Sequence, residues 1–148
     1  MGAIASGGIR VVNRQVVDAL GISLQEIQRV ASEQLLHEAP DDPARHGQHG
    51  LILAALGQKQ EAIAEGKRAV ELLPESQDAF DGPLGTAALA QIYAWTGEFD
   101  EAFRLLDHLL AIPAHGLTVP TLQIDPAWDP LRKDPRFQAL IDKYGAKS

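Results

Sequence analysis

The sequence contains no cysteine, and this absence excludes several kinds of chemistry. Disulfide bonds, zinc sites built from thiolates and cysteine nucleophiles all require that residue. Positive charge is also scarce, because 13 lysines and arginines stand against 20 aspartates and glutamates, a net charge of −7. No local basic stripe offsets this charge, so we expect no binding to the phosphate backbone of nucleic acids.

Long apolar runs are missing as well. The longest lie near LILAAL (51–56), far short of the length that a membrane-spanning helix needs. The first residues, MGAIASGG, lack the basic and apolar regions of a secretory signal. We therefore expect a cytoplasmic protein that does not associate with membranes.

The sequence does contain an internal repeat with a spacing of forty residues. Residues 50–74 can be aligned with the stretch that lies forty positions further along the chain. Small residues then fall on small ones, large on large and glycine on glycine: Gly50 on Ala90, Leu53 on Tyr93, Gly57 on Gly97, and Ala62 on Ala102. A repeat of this length is typical of stacked supersecondary units.

Each copy has the signals of a helical hairpin. These are a glycine for a left-handed turn, a small residue that lets two helices approach, and a proline that ends the second helix. They stand at Gly57, Ala62 and Pro74 in the first copy and at Gly97, Ala102 and Pro113 in the second. We predict hairpins over about residues 44–73 and 85–112, with a positive φ at both turn glycines.

This pattern resembles the tetratricopeptide repeat family, and the second copy carries it through Ala90, Tyr93, Gly97 and Ala102. The first copy departs from it at His46 and His49, and it has Gly66 where a large residue is usual. The family repeat has about 34 residues, so the second copy is longer, and we place its extra residues in a loop, ESQDAFDGPLG (75–85). The resemblance implies an all-α fold over residues 23–144, a short solenoid of helical hairpins.

The tail over residues 117–144 is predicted to cap this solenoid. Its three Asp-Pro pairs can each open a helical turn, and WDPLRKDPRF (128–137) resembles the tails that close tetratricopeptide regions in bacterial signalling proteins. We predict a C-terminal helix whose apolar face packs on the second hairpin, with Trp128 inserted between them. The residues of that face are Phe137, Leu140, Ile141 and Tyr144.

Residues 1–22 are interpreted as an N-terminal arm or a degenerate helix. A second helix should follow Ser23, which with Glu26 is placed as a capping box. Residues 1–34 also resemble a stretch of bacterial phosphoribosyltransferases through ASGGIRVVN, and on that reading the first dozen residues would be extended. The phosphate-binding loop of that family has no counterpart here, because Asp41 and Asp42 are followed by PARHG. We therefore expect no such activity.

The N-terminal region also predicts self-association. Its apolar residues offer more surface than one adjacent hairpin can cover: Val11, Val12, Val16, Val17, Ile22 and Ile27. Burial of apolar area is favourable, and a symmetric pair is the commonest closed solution. We predict a homodimer through this region.

The resemblance also implies where a partner binds, since the family holds peptides in a groove lined by the first helix of each hairpin. The corresponding residues here are Leu51, Ala54, Ala55, Leu84, Ala88, Gln91 and Trp95. None is a cation, so the family's carboxylate clamp is absent and an amphipathic helix or extended apolar peptide is favoured as ligand. Trp95 has two interpretations, an anchor in the groove or a packing residue against the preceding hairpin.

Catalytic and metal chemistry find little support. His46 and His49 stand about one helical turn apart, a spacing that can share a metal, but we interpret them as partly buried helix residues. No serine lies in a Gly-x-Ser-x-Gly elbow. We expect a non-catalytic scaffold for protein–protein interaction, without metal or cofactor, whose partner is a protein or peptide. The alternatives are a phosphoribosyltransferase-related fragment and a purely structural, self-associating module.

Overall fold

The computed structural model of this chain describes residues 4–5, 8–9, 23–112 and 117–145. Two short strands, β1 (Ile4–Ala5) and β2 (Gly8–Ile9), pair antiparallel. Every other described element is helical: α1 (Leu24–Glu38), α2 (Pro43–Ala55), α3 (Lys59–Leu72), α4 (Gly82–Trp95), α5 (Phe99–Ala111), α6 (Val119–Ile124), a 3₁₀ helix (Pro126–Leu131) and α7 (Pro135–Gly145). The predicted helical character is thus confirmed for the described residues from Ser23 onward.

The N-terminal predictions fall mostly outside the described residues. The four residues of β1 and β2 are extended, in agreement with the extended alternative for this segment. The other residues up to position 22 are not among those described, and these include all four valines on which the predicted homodimer depends. That dimer stays a prediction.

Side chains of the residues just before the helices fix where several of them begin. The Ser23 hydroxyl accepts a hydrogen bond from the backbone N–H of Glu26 (3.1 Å), as predicted. Asp42 accepts from the N–H of Ala44 (2.9 Å), and Pro43 stands in the first turn of α2. Asp125 accepts from the N–H of Ala127 (2.9 Å) at the start of the 3₁₀ helix. Such caps satisfy backbone donors that the helix itself leaves free.

The two predicted turns are confirmed and have the same hydrogen bonds. Gly57 has φ +81° and Gly97 has φ +85°. One residue further on, the N–H of Gln58 donates to the carbonyl of Leu53, and the N–H of Glu98 donates to that of Tyr93, both at 2.9 Å. This 6→1 bond after a left-handed glycine defines the Schellman motif, which reverses the chain at the end of a helix.

The predicted loop over 75–85 is shorter than expected. Helix α4 already begins at Gly82, so its first turn includes the last four residues of the stretch that was assigned to the loop. The physical reason is Pro83, whose fixed φ suits the first turn of a helix. Glycine at position 82 is also required for packing, since a Cβ there would lie 2.7 Å from the Cα of Glu75.

Successive helices pack side by side along the chain. Each helix from α1 to α4 packs against the next one, and α2 also packs against α4. Ala62 on α3 and Ala102 on α5 are fully buried, as the prediction of close helix approach requires. The described part of the chain is therefore an all-helical, repeat-like arrangement apart from β1 and β2.

The tail packs on the second pair of helices, as predicted. Trp128, Phe137 and Leu140 are buried in one cluster with residues of α4 and α5, and Ile141 packs against that cluster. Polar contacts join α7 to α5: Lys143 donates to the Asp107 carboxylate (2.8 Å), and the Tyr144 hydroxyl donates to the Asp107 carbonyl (2.9 Å). Removing the tail would therefore expose apolar surface of α4 and α5.

The departure of the first copy at Gly66 has a structural cause. Ile92 of α4 is fully buried in a cluster with Leu53 and Ala62. A Cβ on Gly50 would lie 2.7 Å from Ile92 Cδ1, and a Cβ on Gly66 would lie 2.8 Å from the same atom. Side chains at these two glycines would occupy the space of the isoleucine, so glycine allows α4 to approach the first hairpin closely.

Candidate functional site

An open apolar cleft lies between the N-terminal halves of α2 and α4 and the C-terminal end of α3. Its volume is about 520 Å³. Its walls are mostly apolar, and the lining residues are Pro43, Ala44, Gly47, Gln48, Leu51, Ala69, Leu73, Asp81, Leu84, Gly85 and Ala88. A concave, largely apolar surface of this size falls in the range of sites that bind ligands or peptide side chains.

Small residues at the helix contacts keep this cleft open. A Cβ on Gly47 would lie 3.3 Å from the Cβ of Ala88, so α2 and α4 approach closely there. A Cβ on Gly85 would lie 3.6 Å from the backbone of Ala69, so α4 also lies close to α3 at this position. Larger side chains at these positions would fill the cleft or force the helices apart.

Three of the seven predicted groove residues line the cleft, namely Leu51, Leu84 and Ala88. Ala54 is instead buried in the cluster around Ile92 and offers nothing to a partner. Ala55 is exposed and Gln91 is half-buried, but neither contributes to the cleft wall. The predicted set therefore divides between the cleft, the core and the open surface.

Trp95 lies at the opposite end of α4 from the cleft. Its side chain is 46% exposed, and its indole N–H donates to the carbonyl of Ala127 in the tail at 2.8 Å. This hydrogen bond fixes one edge of the ring against the 3₁₀ helix. Neither earlier interpretation foresaw this contact with the tail, because the two residues are 32 positions apart.

Sequence reasoning missed the contribution of α3 to the site. Ala69 and Leu73 line the cleft, although the family pattern assigns only the first helix of each hairpin to the groove. Asp81 was also missed, because it stood in the stretch assigned to a loop. The sequence does show a run of small and apolar residues near the end of α3. Which neighbouring helix or surface these residues face, however, depends on how α3 packs.

His46 and His49 bind protein groups at helix contacts. His46 Nδ1 lies 2.5 Å from the carboxylate of Glu65 on α3, and its Nε2 lies 2.7 Å from the carbonyl of Pro40. His49 is buried, and its Nδ1 lies 2.7 Å from the Ser32 hydroxyl on α1. Burial lowers the pKa of the His49 imidazole below its usual value. Among the described residues, no three histidines or carboxylates are grouped so that they could hold a metal ion.

No helix in the described part of the chain is both long and apolar enough to cross a membrane. Comparisons with protein-family models, with curated proteins and with solved structures give no match to this chain. The cleft and the residues around it are therefore the features of the molecule that bear on its function.

Proposed function

We propose that this protein is a non-catalytic, tetratricopeptide-like scaffold that binds an apolar or amphipathic peptide segment of a partner protein in the cleft. The observation that carries the proposal is the cleft itself, an open apolar surface whose wall includes Leu84 at 63% exposure. Large apolar side chains that remain exposed around a concave surface are typical of interaction sites.

Features of the backbone support the tetratricopeptide-like arrangement. The Schellman turns at Gly57 and Gly97 stand forty residues apart and have the same bonds. The helices around them pack in chain order, and α2 also packs against α4, which leaves a groove between alternate helices. The tail covers the end of this helix stack, as a terminal cap does in repeat proteins.

The exposed part of Leu84 allows the expected affinity change to be worked out. Full burial of a leucine side chain is worth about 1.5–3 kcal/mol. Because 63% of Leu84 is exposed, a partner that covers it would gain about 1–2 kcal/mol there. That gain corresponds to a change in Kd of roughly five- to thirty-fold.

A pair of matched variants tests the proposal. Leu84→Ser removes an apolar side chain from the cleft, whereas Ile124→Ser removes one that is 80% exposed at the end of α6, outside the cleft lining. Partners captured from native cytosol by the wild-type chain should be lost with Leu84→Ser and kept with Ile124→Ser. Capture that is unchanged by Leu84→Ser would reject the cleft as the binding site.

A second measurement addresses the enzymatic alternative. A thermal-shift titration with phosphoribosyl pyrophosphate and magnesium should leave the melting temperature unchanged, since the sequence offers no phosphate-binding loop. A saturable rise in melting temperature would favour a phosphoribosyltransferase-related protein instead.

A further inference from the structure

Negative charge stands at the opening of the cleft. Asp81 is the one charged side chain among the described residues that line it. This residue occupies the N-cap position of α4, yet its side chain makes no capping hydrogen bond, and it is exposed. The Asp81 carboxylate is therefore free to accept a hydrogen bond from a partner beside an apolar surface.

A neighbouring carboxylate, that of Asp78, reinforces this charge. Asp78 accepts hydrogen bonds from the backbone N–H groups of Phe80 and Asp81, both at 2.9 Å. These bonds lower the pKa of Asp78 below its usual value, and its carboxylate, like that of an ordinary aspartate, is ionised at neutral pH. Asp42 stands at the N-terminus of α2, directly before Pro43 in the cleft wall, but its charge is balanced by Arg45. Both helices that face each other across the cleft thus begin with an aspartate.

The two arginines on the helices that surround the cleft, Arg45 and Arg68, are already engaged. Arg45 donates to the carbonyl of Leu35 at 2.6 Å and lies 3.4 Å from the Asp42 carboxylate. Arg68 lies between the carboxylates of Asp41 (3.8 Å) and Glu71 (3.6 Å). No lysine or arginine of the described residues lines the cleft. The described side chains that line the cleft consequently carry a net negative charge, which comes from Asp81, in a chain whose net charge is −7.

We infer that the partner segment is cationic as well as amphipathic, with apolar side chains that fill the cleft and a lysine or arginine that meets Asp81. The inference rests on the proposed function and names the chemistry of its partner. The apolar contacts supply most of the affinity, whereas the charge orients the segment, speeds association and discriminates against acidic segments. An exposed ion pair of this kind is worth about a two- to five-fold change in Kd.

The test uses two synthetic helical peptides with leucines at the same i, i+3, i+4 and i+7 positions. One has lysines at its polar positions and the other has glutamates. Their binding to the full chain is measured by fluorescence anisotropy for the wild type, Asp81→Asn, Leu84→Ser and Glu61→Gln. Glu61 is an exposed carboxylate in the first turn of α3 that does not line the cleft, so its variant controls for total charge.

The lysine peptide should bind the wild type more tightly than the glutamate peptide does, and added salt should reduce this preference. Asp81→Asn should weaken binding of the lysine peptide about two- to five-fold, and Glu61→Gln should leave it unchanged. Leu84→Ser should weaken binding of both peptides.

Four results would overturn one of the two proposals, and they differ in which proposal fails. Equal affinity for the two peptides, or an equal effect of Asp81→Asn and Glu61→Gln, rejects the cationic partner. If Leu84→Ser still weakens binding in that case, the apolar cleft remains the binding site. If neither peptide binds, or if Leu84→Ser has no effect, the proposed function fails and the inference fails with it.

Discussion

Replacing Gly50 with alanine perturbs the place where α4 approaches the first hairpin most closely. The new Cβ would lie 2.7 Å from Ile92 Cδ1 and 3.0 Å from the carbonyl oxygen of Ala62. Because Ile92 is fully buried, its side chain has little room to rotate away. Overpacking of this kind costs about 1–3 kcal/mol. Alanine gains about 1 kcal/mol over glycine in a helix, so we expect a net loss of roughly 1 kcal/mol.

A double-mutant cycle identifies the atom responsible. Ile92→Val removes Cδ1 and should itself cost about 0.5–1.5 kcal/mol. In that background Gly50→Ala loses its closest contact, and the helix propensity of alanine offsets the remaining contact with the Ala62 carbonyl oxygen, so its cost should fall to near zero. The two changes should therefore couple by about 1 kcal/mol, within the range seen for residues in contact.

Urea unfolding followed by circular dichroism measures all four free energies of unfolding. The matched control pairs Gly50→Ala with Ile141→Val, an isoleucine on α7 that packs against the other core cluster. Those two changes should be additive within about 0.5 kcal/mol. If Gly50→Ala and Ile92→Val are equally additive, contact with Ile92 does not explain the glycine.

Three further changes test other parts of the fold. Ala102→Leu inserts a large side chain where the alanine is fully buried and should cost roughly 1–3 kcal/mol; an unchanged melting temperature would contradict the close helix contact. Truncation before Asp125 removes Trp128 and Phe137 from the core and should cause aggregation or loss of cooperativity, detected by light scattering, whereas a soluble and equally stable product would show the tail to be dispensable. Because burial lowers the pKa of His49, the unfolded chain takes up a proton below about pH 6.5 that the folded chain does not. Stability should therefore fall as the pH decreases from about 6.5, and an equal slope in His49→Gln would assign the effect to other groups.

The polar residues of the first copy show how the structure adds what a sequence pattern cannot supply. His46 and His49 were recognised as departures from the family pattern, but their partners were not. Glu65 lies 19 positions from His46, and Ser32 lies 17 positions from His49. Each pair is formed only when neighbouring helices pack, so no local spacing in the sequence predicts it.

The sequence alone determined the features that depend on neighbours in the chain. Gly57 and Gly97 end their helices with positive φ, and Ser23 caps α1, because turns and caps are built from hydrogen bonds within about five residues. The apolar face of α7 was predictable for the same reason, since helical periodicity places Phe137 and Leu140 together.

Only the tertiary structure decided what the cleft is made of. Ala54 turned into the core, whereas Leu73 of α3 turned toward the cleft. The rotation of each helix about its axis depends on which side chains fill the contacts between helices, and here glycines admit Ile92 between α2 and α3. A pattern along one helix gives its apolar face, but the packing of three helices decides which part of that face stays open to a partner.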